Sequence, residues 1–218
     1  MLKITDLNAR IGDKQILSNI NITMNPGDVL LVTGHNGSGK STLLHTIMGR
    51  PDIDAGGAIT LYGDDILPLE CHERAKKGVF MFHQAPPTID GVNTMTLLNE
   101  INNSHSVKLS KRSLIDEARG AFESLGLPAD WSKRQFNMGA SGGERKKNEL
   151  AQAELFGGQV LLLDEPDSGL EQASRQRIID IINNRRAAGG FVILVTHDKD
   201  LQELYKDNKI ELQNGTRI

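Results

Sequence analysis

The stretch Gly34–Ser41 reads G-H-N-G-S-G-K-S and is the most informative segment of this chain. It follows the apolar run Val29–Thr33 and precedes a helical pattern over residues 42–48, so the local order is strand, glycine loop, helix. The spacing matches G-x-x-x-x-G-K-S/T, a loop whose backbone N–H groups can surround phosphate oxygens. The N-terminus of the following helix adds unpaired donors and the positive end of its dipole. The pattern therefore predicts a nucleotide-phosphate site.

Two side chains of this loop have distinct expected tasks. Lys40 is placed to reach the β- and γ-phosphates, and Ser41 to coordinate Mg²⁺. The competing interpretation, a glycine turn beside a surface lysine, is disfavoured by the strand–loop–helix order. The predicted nucleotide-binding residues of the loop are Gly34, Asn36, Gly37, Ser38, Gly39, Lys40, Ser41 and Thr42.

Composition narrows the class of protein. The chain has 218 residues, a net charge of −3 and 4% aromatic residues, which gives no reason to expect a nucleic-acid partner. Its one cysteine, Cys71, excludes a disulfide framework and a self-contained cysteine-ligated metal site. No apolar run is long enough to span a membrane, and the N-terminus lacks a signal-peptide pattern. We therefore expect a cytoplasmic protein with no direct membrane insertion.

Apolar periodicity divides the rest of the chain into strands and helices. Alternation over 2–9 and 15–24 predicts two half-buried strands joined by a turn at Gly12-Asp13. Pro51 and Gly56-Gly57 are expected to interrupt the chain. Further strands are expected at 58–62, 79–82, 160–163 and 191–195, helices at 94–103, 111–125, 142–156 and 171–187, and a hairpin over 209–218.

The order of these elements predicts an α/β fold. Strands that alternate with helices indicate a mainly parallel sheet with right-handed crossovers, here with an antiparallel β edge. Residues 86–156 show helical spacing and no convincing strand. We therefore expect a helical subdomain over 86–156, inserted into an α/β core of residues 1–85 and 157–218.

The second half of the nucleotide site is expected where the apolar run Val160–Leu163 ends in Asp164 and Glu165. Ligands of open α/β sheets bind at the carboxyl ends of strands, so Asp164 is positioned to hold Mg²⁺ directly or through water. Glu165 is the best candidate for the general base that polarises the attacking water. Surface acids at a strand end are the alternative, which the complete phosphate loop makes less favoured.

Two more polar residues follow buried strands. Gln84 ends the strand 79–82 and can touch both Mg²⁺ and the attacking water; a solvated strand-end glutamine is the alternative. His197 follows the strand 191–195 and can contact the γ-phosphate or orient the water, or it can cap the next helix. With Glu165, these residues form the predicted catalytic set.

A second glycine-rich helix N-terminus lies at Ala140–Glu144, which reads A-S-G-G-E. It is built to bind an anion but has no lysine of the phosphate-loop type. A chain with one triphosphate site has no obvious use for a second such terminus in cis. We therefore expect Ser141, Gly142 and Gly143 to contact the γ-phosphate bound by a second copy of the chain.

Taken together, these motifs resemble those of the ATP-binding cassette (ABC) ATPases, over essentially the whole chain. The motifs occur in the order and at the spacing of that family: Walker A (34–41), the Q-loop (84), the signature (141–145), Walker B (160–165) and the switch histidine (197). The resemblance implies a P-loop core that uses ATP and Mg²⁺. It also implies a head-to-tail dimer that closes over two ATP molecules and opens after hydrolysis.

Two segments are similar to the SufC branch of that family, which serves iron–sulfur cluster assembly. They are S-G-G-E-R-K-K-N-E at Ser141–Glu149 and D-S-G-L at Asp167–Leu170. This implies a soluble SufB- or SufD-like scaffold as partner, because a cluster needs three or four cysteine ligands and this chain has one. Glu171 replaces the usual aspartate, and the short C-terminus suggests a compact SufC-like form.

Two features give weaker expectations. The cations Arg145–Lys147 add little to the similarity, because three adjacent cations are commonly a solvated helix face. No aromatic residue lies near Ile11, where most cassettes stack adenine, so modest discrimination between ATP and GTP is expected.

There are two alternative functions. The nucleotide-binding subunit of a membrane ABC transporter is the main alternative, and the signature-helix motif argues against it. A DNA-maintenance cassette of the SMC type would need a long coiled-coil insertion, which this chain lacks.

Overall fold

The computed structural model describes residues 1–104 and 108–218. Its strands, numbered along the chain, are β1 (Leu2–Ile11), β2 (Lys14–Met24), β3 (Val29–Thr33), β4 (Asp54–Leu61), β5 (Asp64–Asp65), β6 (Val79–Phe82), β7 (Val160–Asp164), β8 (Phe191–Val195), β9 (Lys209–Gln213) and β10 (Thr216–Arg217). They form two sheets, ordered β2-β1-β4-β5 and β10-β9-β3-β8-β7-β6. The smaller sheet is antiparallel, and the larger is parallel except for its β9–β10 hairpin. The predicted fold class is thereby confirmed.

The larger sheet places the phosphate-loop strand β3 between β8 and β9. Walker B strand β7 is one position further, beside β8 on one side and the Q-loop strand β6 on the other. Because these neighbours are parallel, their carboxyl ends lie at the same edge of the sheet. The loops that follow β3, β6, β7 and β8 therefore converge there.

One prediction about the smaller sheet is wrong, because Gly56 and Gly57 lie inside β4 instead of interrupting the chain. The pairing of β1 with β4 shifts register between Thr5 and Asn8. Gly57 has φ +107°, and a Cβ on it would lie 2.5 Å from the Asp6 carbonyl oxygen. The glycine thus serves a close backbone approach at an irregular pairing rather than a turn.

The helices are α1 (Lys40–Met48), α2 (Cys71–Lys76), α3 (Thr94–Ser104), α4 (Lys111–Ser124), α5 (Gly142–Phe156), α6 (Gln172–Ala187) and α7 (Lys199–Leu204), with a 3₁₀ turn at Trp131–Lys133. The four predicted helices match α3 to α6 within one residue at each end. Helices α2 and α7 were missed because six residues are too few to show a 3.6-residue period.

The segment 86–156 contains α3, α4, the 3₁₀ turn and α5, with an isolated bridge between Asn93 and Gln135. Part of this predicted subdomain, residues 105–107, lies outside the described residues. The division into a core of 1–85 and 157–218 and a helical subdomain stays a prediction.

Alternate side chains of the central strands enter two separate hydrophobic clusters. Leu31 and Leu161 belong to the cluster that buries residues of α3 to α6, including Leu98 and Leu150. Leu30, which is next to Leu31 in β3, belongs to the other cluster, together with residues of α1 and of the antiparallel sheet. Burial on both faces explains why β3, β7 and β8 are uninterrupted apolar runs.

Candidate active site

The glycine loop joins β3 to α1, which begins at Lys40 directly after Gly39. Gly39 has φ +106°, and a Cβ there would lie 2.7 Å from Leu17 Cδ2. At Gly34, with φ +142°, a Cβ would lie 2.3 Å from the Leu212 carbonyl oxygen. The path of the loop therefore requires glycine at both positions. The hydroxyl of Ser38 is fully buried and has no hydrogen-bond partner among the described residues.

A cavity of about 480 Å³ opens over this loop. It is lined by Lys14, Ile16, Asn36, Gly37, Gly39, Lys40, Ser41, Thr42, Gln84, Glu165 and His197. The structure thus gathers loop residues, Gln84, Glu165 and His197 around one space, as the sequence predicts. Gly34, Ser38 and Asp164 lie outside its lining, as do the three signature residues.

Lys40 is largely buried, and its ammonium group donates hydrogen bonds to two carbonyls of its own loop. The acceptors are Gly34 O at 2.9 Å and His35 O at 3.0 Å. These bonds hold the cation over the loop, where an anionic phosphate would be attracted to it. The lysine is therefore fixed by the loop it serves.

Ser41 and Asp164 meet at the base of the site although they are far apart in the chain. The Ser41 hydroxyl donates to Asp164 Oδ1 at 3.2 Å. Burial raises the pKa of Asp164, and the bond from Ser41 opposes that shift. A hydroxyl and a carboxylate are hard oxygen donors of the kind that Mg²⁺ prefers, so this pair fits the ion.

Glu165 is the point at which the predicted catalytic residues meet. Gln84 Nε2 donates to Glu165 Oε2 at 2.9 Å, and His197 Nε2 lies 3.3 Å from Glu165 Oε1. Glu165 itself takes φ +49°, and its backbone N–H donates to Val195 O at 2.9 Å. A left-handed conformation at a non-glycine residue is uncommon and concentrates at functional sites. The two flanking groups fix the orientation of the carboxylate.

The alternative for His197, a helix cap, is not what the structure shows. Asp198 is the N-cap of α7, and its Oδ1 accepts from the backbone N–H groups of Asp200 and Leu201 at 3.0 and 3.1 Å. Half of the His197 side chain is exposed, toward the cavity that it lines.

The signature residues lie apart from this cavity. Ser141 is the N-cap of α5, and with Glu144 it forms a capping box: each side chain bonds the backbone N–H of the other. A Cβ on Gly142 would meet nothing within 4 Å, and one on Gly143 only Gly169 O at 3.7 Å. Packing within one copy therefore does not require these two glycines.

The alternative for the cations Arg145–Lys147, a solvated helix face, is not what the structure shows for Lys146. Lys146 is buried, and its ammonium donates to Glu165 O at 3.0 Å and to Ser168 O at 2.7 Å. Burial lowers its pKa. Lys147 Nζ lies 2.6 Å from Glu171 Oε1. These cations hold the loop that follows β7, and no local sequence signal separates such a role from solvation.

Sequence reasoning missed two residues of the cavity, Lys14 and Ile16. Both lie at the start of β2, just after the Gly12-Asp13 turn. Ile11, the position examined for an adenine contact, is absent from the lining and is partly exposed. The contribution of β2 to the wall of the cavity follows only from the position of the β1–β2 hairpin beside the phosphate loop.

Comparison with known proteins agrees with the fold and the motifs. The family model described as "ABC transporter" matches residues 17–168. The chain is 34% identical over 224 residues to the probable ATP-dependent transporter SufC of Escherichia coli, covering all of this chain and 90% of that protein. It is also 34% identical over 226 residues to the chloroplastic ABC transporter I family member 6 of Arabidopsis thaliana, covering 67% of it.

Among solved structures, a dimeric ATP-binding cassette in a post-hydrolysis state with ADP and Pi matches with a TM-score of 0.82. Sequence identity is 20%, and the match covers all of this chain and 96% of the other. At that identity, the likeness concerns the fold alone.

The chain therefore belongs to the ABC ATPase family, and it is an ATP-binding enzyme that hydrolyses ATP. Within that family it is similar along its whole length to SufC. In the described part of the chain, no helix is long and apolar enough to cross a membrane.

Proposed function

We propose that this ATPase drives a conformational change in a soluble iron–sulfur assembly scaffold of the SufB or SufD kind. The observation that carries the proposal is the similarity to SufC across the full chain. It is supported by the S-G-G-E…N-E and D-S-G-L segments. With Cys71 as its one cysteine, the chain cannot hold a cluster by itself, so the scaffold is a separate protein.

In the proposed reaction, Lys40 and the loop N–H groups would bind the ATP phosphates, and Ser41 with Asp164 would hold Mg²⁺. The described residues include no cluster of three or more His, Cys, Asp or Glu side chains suited to a metal. Phosphate oxygens and water would complete the shell, as is usual for Mg²⁺. Glu165 takes the proton of the attacking water, and Gln84 and His197 hold the carboxylate in place.

The signature completes the site from a second copy of the chain. Gly142 and Gly143 lie in a helix, and packing within their own chain does not require glycine at either position. Because they have no side chains, they allow a group of another copy to approach the backbone closely. In a head-to-tail pair, Ser141, Gly142 and Gly143 would face the partner's γ-phosphate. ATP can then drive closure only by binding the closed pair better than the open one.

An apolar groove beside the Q-loop suits the scaffold. This groove has a volume of about 330 Å³ and is lined in part by Cys71, Phe80, Pro86, Leu97 and Phe136. It also reaches His83, the residue before Gln84. An apolar helix or loop of the scaffold seated there would contact both the helical segment and the Q-loop.

Two linked measurements test the proposal. Anaerobic affinity purification of the tagged chain should recover a soluble protein that carries iron and labile sulfide. That protein should also protect Cys71 from alkylation by a maleimide, with Cys71→Ser as the unlabelled control. Because burial raises the pKa of the Cys71 thiol, labelling of the free chain is expected to be slow. Recovery of a multi-span membrane protein instead would make the chain a transporter subunit.

A further inference from the structure

Asn148 and Glu149 form the end of the S-G-G-E…N-E segment, and the reaction described above gives them no task. Both lie in α5, the helix that begins with the signature. Both are buried, with relative exposures of 0% and 6%. A buried carboxylate or amide is costly unless it is bonded, so the partners of these two side chains indicate what they are for.

Glu149 uses both of its oxygens on a single residue. Oε1 lies 2.7 Å from His83 Nδ1, and Oε2 accepts the backbone N–H of His83 at 3.0 Å. Burial raises the pKa of Glu149, while the bond to Glu149 raises the pKa of His83. Two bonds from one carboxylate to one residue fix its position and its orientation. That residue directly precedes Gln84.

Asn148 anchors the other end of the Q-loop segment, residues 83–87, through one intermediate residue, Asn137. Its Nδ2 donates to Asn137 Oδ1 at 2.9 Å, and Asn137 Nδ2 donates to Pro87 O at 2.7 Å. Asn137 is 1% exposed and takes φ +59°. Consecutive residues of α5 thus hold residues 83 and 87, the two ends of the Q-loop.

Gln84 lies between these anchors, and its amide donates to Glu165 at 2.9 Å. The same helix also bonds the Glu165 backbone carbonyl through Lys146 at 3.0 Å. Helix α5 therefore bonds the residue before Gln84 and the backbone of Glu165, the two sides of the Gln84–Glu165 contact. None of the hydrogen bonds of Asn148 or Glu149 described here reaches the phosphate loop.

We propose that Asn148 and Glu149 are positioning residues, which keep Gln84 in register with Glu165 through their bonds to the Q-loop. They act on the hydrolytic step and leave nucleotide binding nearly unchanged. His83, Pro87 and Glu149 also line the apolar groove, so a partner seated there would contact this clamp directly. Contact with a partner at this groove rests on the proposed scaffold function, whereas the positioning role concerns the chain alone.

The test is steady-state ATP hydrolysis by the full chain without a partner. Glu149→Leu removes the clamp, and we expect kcat to fall about tenfold or more while KM for ATP stays within about twofold. Glu149→Gln keeps an oxygen for the His83 N–H and should recover most of kcat. Glu154→Leu, on the same helix and paired with Arg177, is the control.

Hydrogen exchange gives a readout that does not depend on activity. In Glu149→Leu, the backbone amides of residues 83–85 should exchange faster, and those of 34–41 should not. Faster exchange at residues 83–85 with kcat within twofold of the wild type would overturn the positioning role. So would a rise in KM that accounts for the whole loss of activity.

Should Glu149→Leu fail to fold, His83→Phe attacks the same link from its more exposed side. The His83→Phe variant should also lower kcat, and an unchanged kcat would overturn the proposal. A scaffold that neither binds nor stimulates the wild-type chain would contradict the proposed function, and the partner-free kcat comparison would still decide the positioning role.

Discussion

At the scale of single residues, Lys40 is the cation that we propose binds the phosphates of ATP. We expect Lys40→Ala to lower ATP turnover by about 10²-fold or more, because the transferred phosphate loses its principal charge partner. Turnover is measured by phosphate release at saturating ATP. Lys76→Ala, which removes an exposed lysine of α2, is the matched control. Turnover equal to that of the control would contradict the role assigned to Lys40.

The wall of the cavity formed by Lys14 and Ile16, where we expect the base of the nucleotide to lie, gives a second prediction at this scale. Lys14 and Ile16 line the cavity, and no aromatic ring of β1 or β2 is available for stacking. Discrimination by shape and by apolar contact is weak compared with discrimination by matched hydrogen bonds. We therefore expect kcat/KM for GTP to lie within about tenfold of that for ATP. A much stronger preference for ATP would reveal a base contact elsewhere.

At the scale of elements, the irregular pairing of β1 with β4 depends on one of two adjacent glycines. Gly57→Ala should lower the free energy of unfolding by about 1–3 kcal/mol, because φ +107° is strained for alanine and its Cβ would clash with Asp6 O. Gly56→Ala is the control, since a Cβ there meets nothing within 4 Å. Urea unfolding measures the free energy of unfolding of both variants. Equal values would mean that the pairing of β1 with β4 adjusts to a side chain at position 57 without loss of stability.

The first turn of α5 allows the trans role of the signature to be separated from its role in folding. Gly142→Leu should leave the melting temperature unchanged or higher, because its Cβ faces open space and leucine favours helix. The same change should prevent ATP-driven pairing if a second copy's phosphate approaches this backbone. Gly120→Leu, at an exposed glycine of α4 that is equally open, should pair normally. Normal pairing by both variants would leave the signature without its trans task.

At the scale of the whole molecule, the proposed cycle joins two copies around ATP. Glu165→Gln keeps the geometry of the site but removes the general base, so hydrolysis should fall about 10²- to 10⁴-fold. With Mg²⁺ and ATP, light scattering should then show a mass twice that of the single chain. The same variant in EDTA, without Mg²⁺, should stay a single chain. A protein that remains single with Mg²⁺ and ATP would rule out the two-copy site.

Local sequence is sufficient to predict the features that short stretches encode. Strand–loop–helix order, the two glycine-rich helix starts and the acids after β7 are readable because periodicity and turn chemistry act over a few residues. The short helices α2 and α7 and the irregular β4 were not readable, since six residues show no period and a glycine in a strand resembles a turn.

Which of these features lie in contact depends on how the strands and helices pack. Gln84 reaches Glu165 across 81 residues because β6 and β7 are parallel neighbours whose ends lie at one edge. Lys146 looks like any surface cation in the sequence, yet the packing of α5 buries it against the Glu165 carbonyl. The link from Glu149 to His83 likewise depends on how α5 lies beside β6. Such contacts follow from strand order and helix placement, which local pattern does not carry.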